Sequence, residues 1–457
     1  MRASSPTPRG AALLIVLVAI AVVTALAANL AYETRVRLQI AANGRDALKA
    51  SAQAQSGVAM ARLVLTLQAQ LDQNSGAMCQ ALGQVTNLLQ GGASGTSGTA
   101  GTAGAAGAAG AAGAAGGAGC PRPQLWSLVP VGSTLTDMLF PPEDGSEAQA
   151  REPEDGPAVR AAEPGEEGSY QATIEDEGQK INLQFDGLIQ SGNTIGPQVT
   201  ALLQLTCDPK WDPLFDREDE AGQRWNRGDL LIHLRDFVDD DQGSSGLKVS
   251  FPSAGCSFQV PAAPIEQGFG GENGPYDRGQ DRYKVKNARF DSLEELHLVA
   301  GVSEAFMAAF GDQVTVYMPR DSGMNVNSKD PRQQLNIAKT MADPASLAAV
   351  NDPEFAARLT KAISDMTMGG FMTITPVQFA GIVQSLGVTV RNEYVAQTQN
   401  NAFTDRSMVF HIRASGTAGA VTKRIDAVVT FDPNQNRITD PAAGQAVAGR
   451  LIRWREE

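Results

Sequence analysis

From Ala11 to Tyr32 the chain runs for twenty-two residues without a charge, AALLIVLVAIAVVTALAANLAY. As a helix this run is about 33 Å long, enough to cross the hydrocarbon core of a bilayer. No other feature constrains the fold as strongly. The ten residues before it, MRASSPTPRG, carry Arg2 and Arg9 and no acid, which keeps that end cytoplasmic and sends the bulk of the chain outward, into the periplasm. A secretory signal peptide cut between Ala25 and Ala28 is one reading, and a plain single-pass anchor another; against the first, the run is longer than an ordinary h-region and helical sequence continues beyond it. Over Glu33 to Leu71, Val36, Ile40, Leu48, Val58, Leu63, Val64, Leu67 and Leu71 fall at mostly helical spacing. One helix of roughly 60 residues, about 90 Å, is therefore predicted over residues 11–75, with Gly44 and Gly57 as the places where it would kink.

A chain of 457 residues can form two or three packed domains. Its net charge of -13 repels nucleic acid and anionic lipid in the absence of a local basic patch, and the sequence has none. Three scattered histidines (His233, His297, His411) and four scattered cysteines argue against a zinc site or a histidine-based catalytic centre. No GxSxG, HExxH or P-loop pattern occurs, so nothing in the sequence asks for an enzyme.

Residues 76–168 are predicted to be a linker. Gly91 to Gly119 holds almost only small residues, too small to build a core, and Pro141 to Gly168 is acidic and rich in Pro and Gly. Structure resumes at Ser169. Tyr170, Ala172 and Ile174, then Ile181, Leu183 and Phe185, alternate with polar residues around Asp-Glu-Gly, which reads as a β-hairpin. Helical tracts follow at Pro197 to Leu205, Gly228 to Val238, after Asp291-Ser292, and at Val302 to Phe310. VTVYM (Val314 to Met318) and GMNVN (Gly323 to Asn327) are strand-like, a helix with Pro376 in its first turn comes next, and Met408 to Ala414 and Lys423 to Phe431 alternate as two closing strands. The head is α+β.

Five of these stretches, in this order, resemble the family of general secretion pathway protein K, the largest minor pseudopilin of type II secretion systems: IEDEGQKINL (Ile174 to Leu183), LIHLRDFVDDDQ (Leu231 to Gln242), KNARFDSLEELHLVAGV (Lys286 to Val302), VTVYM with MNVN (Val314 to Asn327), and SMVFHIRA (Ser407 to Ala414). Arg9-Gly10 abutting the apolar run is similar to the site read by a prepilin peptidase, which would cut between Gly10 and Ala11. The fifth residue after such a cut is Ile15, where most pseudopilins carry Glu to neutralise the N-terminal amine of a neighbour; its absence suits a subunit with none above it. The resemblance implies a long N-terminal transmembrane helix, a pilin-like antiparallel sheet over 169–190 and 312–450, and a large helical domain inserted at 191–311. It implies an inner-membrane protein with a periplasmic head, a methylated N-terminus, minor pseudopilins I and J as partners, and a role at the tip of the pseudopilus. The competing reading is a single-pass membrane-anchored periplasmic protein that binds its ligand through calcium-dependent loops.

Asp236, Asp239, Asp240 and Asp241, with Asp277 and Asp281 further on, make oxygen-rich loops of the kind calcium needs, although such loops also occur as solvated helix caps. The family is known for calcium in its helical domain, so the resemblance implies that Asp239, Asp240, Asp241, Asp277 and Asp281 hold the ion. An even set of cysteines in an oxidising compartment suggests local disulfides, Cys79 with Cys120 and Cys207 with Cys256. The LVAGV turn (Leu298 to Val302) is similar to a helix-hairpin-helix turn, but its acidic surroundings make it a packing turn rather than a nucleic-acid contact.

Overall fold

The computed structural model describes residues 11–90, 122–127, 129, 131–133, 168–184, 189–190, 194–215, 218, 222–250, 258, 265–277, 282–320, 322–395, 402–431 and 449–457. The expected Gly/Ala-rich and acidic linkers fall almost wholly outside them.

Helix α1 spans Ala11–Gln90, past the expected end at residue 75, and it passes through Gly44 and Gly57 without a break. Its first half stands free of the rest of the protein: Leu13, Ile15, Leu30 and Leu48 are 70, 68, 69 and 76% exposed. This half is long and apolar enough to cross a membrane once. In the second half Ala54, Val58, Ala61 and Leu65 recur at three- and four-residue spacing and are buried.

What buries them is a five-stranded sheet, β1 (Val131–Gly132), β2 (Ser169–Asp176), β3 (Val409–Ala418), β4 (Val421–Thr430) and β5 (Arg450–Glu456), in the order β1-β2-β3-β4-β5 and antiparallel throughout. Alternation aims Tyr170, Ala172, Phe410, Ile412, Ala414, Ile425, Ala427 and Val429 at α1. The closest approach is at Gly416, where a Cβ would lie 2.1 Å from the Ala50 carbonyl oxygen and 2.3 Å from the Ala54 nitrogen. Only glycine lets the helix backbone come down on the strand there.

A second core forms on the other side of the sheet. It runs from Ile181 to Phe403 in the chain, and Val409 of β3 and Val428 of β4 belong to it. Its main helices are α2 (Pro197–Thr206), α3 (Arg227–Asp236), α4 (Glu304–Phe310), α5 (Pro331–Met341), α6 (Pro353–Met366) and α7 (Pro376–Ser385). Their starts are written in the sequence. Asp330 and Asp352 cap α5 and α6 ahead of a proline, and Thr375 with Gln378 closes a capping box on α7.

Two expectations are corrected. The hairpin around Asp-Glu-Gly does not form: β2 pairs with β1 and β3, while Ile181–Asn182 pairs in parallel with Val314–Thr315. The two apolar sets lie in different cores, Tyr170 and Ala172 against α1 and Ile181 and Leu183 in the helical domain. The inserted domain is also larger than 191–311, because the tract 312–403 packs into the helical core and supplies only two-residue strands to it, Val314–Thr315 and Met324–Asn325. A fifth strand, β5, lies almost wholly beyond the expected end of the head at residue 450.

Candidate functional site

Helix α3 opens on a capping box between Asn226 and Asp229 and delivers Asp236 at its last position. The chain turns there, placing Asp239 beside Asp236, and strand Ile265–Gly271 ends next to both, so that Glu272 completes a group of three carboxylates. One oxygen from each lies within 4.8 Å of the others. All three residues are buried, with exposures of 3% for Asp236, 5% for Asp239 and 2% for Glu272.

Their hydrogen bonding is incomplete. Ser245 N donates to Asp236 Oδ2 at 3.0 Å, but Asp236 Oδ1 and both oxygens of Asp239 and of Glu272 accept no hydrogen bond. The cation in reach is Arg235, 3.3 Å from Asp239 Oδ2 and 3.6 Å from Asp236 Oδ1. With all three ionised, one guanidinium against three carboxylates would leave two negative charges buried, which is costly without a counter-ion or a bound proton. The acidities register it. Burial, and then the neighbouring charges of Asp239 and Asp236, push Glu272 up to about 8. Burial pushes Asp236 up to about 6 and raises Asp239 as well, although Arg235 opposes both.

Of the residues expected to hold calcium, the structure brings only Asp239 fully into this group. Asp241 lies at its rim, exposed, accepting from Gly243 N at 2.8 Å. Asp240 is exposed, Asp277 is exposed and paired with Arg282 at 3.7 Å, and Asp281 lies outside the described residues. Glu272 was missed. Its only sequence signal is the turn-forming GGENG context, which does not announce a ligand.

A second buried group lies where sheet and helical domain meet. Asp176, at the end of β2, accepts from Gly178 N at 2.8 Å, Asn325 Nδ2 at 2.8 Å and Ser407 Oγ at 2.6 Å. The next residue, Glu177, is wholly buried, 2.7 Å from Lys180 Nζ and 3.2 Å from His411 Nδ1, and His411 Nε2 lies 2.8 Å from Asp426. Burial alone would raise Glu177, but His411 and Lys180 hold it at about 2. Burial alone would lower His411, and Asp426 and Glu177 raise it instead. Glu175, Glu177 and His411 are close enough to share a metal. Lys180 Nζ, 2.7 Å from Glu177 and 3.5 Å from Glu175, already occupies that place.

The other histidines do different work. His233 Nδ1 lies 2.9 Å from the Ala300 carbonyl, which makes the LVAGV turn a packing contact, and His297 Nδ1 is 3.7 Å from Glu304. Gly10 lies outside the described residues, Ala11 begins α1, and Ile15 stands exposed in its free half. Cys207 is disulfide-bonded. The side chains of Cys79, Cys120 and Cys256 lie outside the described residues, and with them both expected pairings.

No protein-family model and no curated protein matches the chain. Among solved structures it is similar to a chain of the GspK-GspI-GspJ complex from the enterotoxigenic Escherichia coli type 2 secretion system, with 14% identity, a TM-score of 0.39, and coverage of 64% of this chain and 80% of that one.

Proposed function

We propose that this chain is a large minor pseudopilin of a type II secretion system, anchored in the inner membrane with its head in the periplasm. One observation carries the reading. A single helix has a free apolar half of membrane-spanning length, and its other half docks on an antiparallel sheet into which a helical domain is inserted between β2 and β3. Three of the five stretches that carry the sequence resemblance also converge in space: Asp176 and Glu177 from the first meet Asn325 from the fourth and Ser407 and His411 from the fifth.

On this reading a prepilin peptidase cuts between Gly10 and Ala11, and the new N-terminus is methylated. With Ile15 in place of an acid the subunit gains little from lying beneath another, and a head widened by the helical domain does not stack at pilin spacing. Both features support a place at the tip, one copy per filament, with minor pseudopilins I and J below, and a role in starting assembly. The chain is then a structural component and not a catalyst.

The carboxylate group fits a divalent cation: it offers buried hard oxygens without hydrogen bonds and an excess of two negative charges. Asp236, Asp239 and Glu272 would hold calcium, with Asp241 at the rim. The ion supplies the missing positive charge, and these residues would tie the end of α3 to the strand Ile265–Gly271.

The test is mass spectrometry of the N-terminus of membrane-extracted protein, together with secretion in a strain lacking the gene. A methylated chain beginning at Ala11 and a block in secretion are expected. An intact Met1, or a start near Asn29, with secretion unchanged would leave the anchored binding protein as the better account.

A further inference from the structure

Strand β5 ends the sheet, and among the described residues no strand pairs with its outer side. Its register gives it two unlike faces. Leu451, Trp454 and Glu456 stand opposite Val429, Ala427 and Ile425, on the face that α1 covers, whereas Arg450, Arg453 and Arg455 stand opposite Thr430, Val428 and Asp426 on the other. Ile452 is the extra residue of a bulge, and it puts all three arginines on one side. Helix α1 reaches β5 at its two ends, where Ser51 Oγ donates to Glu456 Oε1 at 2.6 Å and Arg62 to the Gly449 carbonyl at 3.0 Å, and between them Leu451, Ile452 and Trp454 remain 40, 38 and 41% exposed. Glu457 and Arg424 exchange both backbone hydrogen bonds, Glu457 N to Arg424 O at 2.9 Å and Arg424 N to Glu457 O at 3.1 Å. By antiparallel alternation Arg455 and Arg453 also pair inward, so the N–H and C=O groups of Trp454 and Glu456 point away from the sheet.

Such an edge is a template for another strand. A second copy of β5 is a poor occupant. Every antiparallel register that joins the outward groups of Trp454 and Glu456 on the two edges sets like charges opposite each other, Arg453 with Arg455, Arg455 with Arg455, or Glu456 with Glu456, and like charges directly opposite destabilise a pair. The same pattern favours a different partner. Arg453 and Arg455 share the carboxylate of Glu294 in the helical domain at 2.6 and 3.3 Å, Arg455 also pairs with Glu457 at 3.0 Å, and Arg453 donates to the Tyr317 hydroxyl; acids arriving on that face still meet two guanidiniums, while apolar residues on the opposite face meet Leu451 and Trp454.

We infer that β5 is a docking edge that takes an extended segment of another minor pseudopilin, one alternating acidic residues with apolar ones, as a sixth strand. This rests on the proposed function, which names the class of partner. The test uses the full-length chain, co-expressed with the other two minor pseudopilins and extracted in mild detergent, and compares backbone hydrogen exchange in the complex with that of the chain alone. The amides of Trp454 and Glu456 should slow at least tenfold on assembly. Arg455→Glu should lower recovery of the complex at least fivefold, and Arg358→Glu on the remote helix α6 should leave it unchanged. A complex that assembles with those two amides exchanging as before, and that tolerates Arg455→Glu, overturns the docking edge and leaves the proposed function standing. No complex at all with the unmodified chain overturns both.

Discussion

At the turn after β2, Glu177 is wholly buried among Lys180, His411 and, beyond the histidine, Asp426. At the end of α3, Asp236, Asp239 and Glu272 are buried almost as deeply and, among the described residues, share only Arg235. In the first group the chain supplies its own cations, and Glu177 stays ionised down to about 2. In the second it does not, and Glu272 is driven up to about 8. Both groups are buried; the supply of positive charge differs. The first group therefore stays charged without help; the second takes up a proton or, as we propose, a cation from solution.

Removing the chain's own cation should have the largest effect. Lys180→Met leaves Glu177 buried with only His411 beside it, and breaking a buried pair in this way costs about 3–5 kcal/mol; thermal unfolding measures the loss, and a variant as stable as the parent would show that Lys180 is not the counter-charge. At the carboxylate group the sign should depend on the medium. In chelator, Glu272→Gln removes the cost of burying this acid beside two others and should be at least as stable as the parent, whereas free calcium a hundredfold above its Kd should raise the parent's stability by about 2.7 kcal/mol and the variant's by less.

A smaller effect separates the groups by pH. Because the folded protein raises His411 above its ordinary value, its charged form contributes in full below the unfolded value, near pH 6.5, and that contribution is lost as pH rises through the folded value. The gap in melting temperature between the parent and His411→Gln should therefore narrow from pH 6 to pH 9, and a gap that widens would reverse the assignment. Smallest of all, Asp240→Asn and Asp277→Asn alter exposed carboxylates and should change stability by no more than about 0.5 kcal/mol with or without calcium. A loss of the calcium response in either would return those residues to the ligand set.

The contrast also separates what the sequence discloses from what it hides. The free half of α1 is legible because twenty-two uncharged residues have few other uses, and β3 and β4 are legible because alternation marks a strand with one buried face. Alternation does not name a strand's partner. Tyr170 and Ile181 flank one turn yet belong to two cores, so the expected hairpin failed. The extent of the helical domain was hidden because the strands of its later part, Val314–Thr315 and Met324–Asn325, are two residues long, below what periodicity can resolve. Asp236 and Asp239 were visible as an acidic run, but Glu272 joins them only through the pairing of strand Gly243–Leu247 with Ile265–Gly271, a tertiary event with no local trace.

The proposal that Asp236, Asp239 and Glu272 take a cation from solution is tested most directly by the melting temperature of the full-length protein in detergent, measured in chelator and then with calcium or magnesium restored. The structure predicts a fall in chelator, recovery with calcium, and weaker recovery with magnesium, whose smaller shell suits an all-carboxylate site poorly. A melting temperature that does not move in chelator would contradict it.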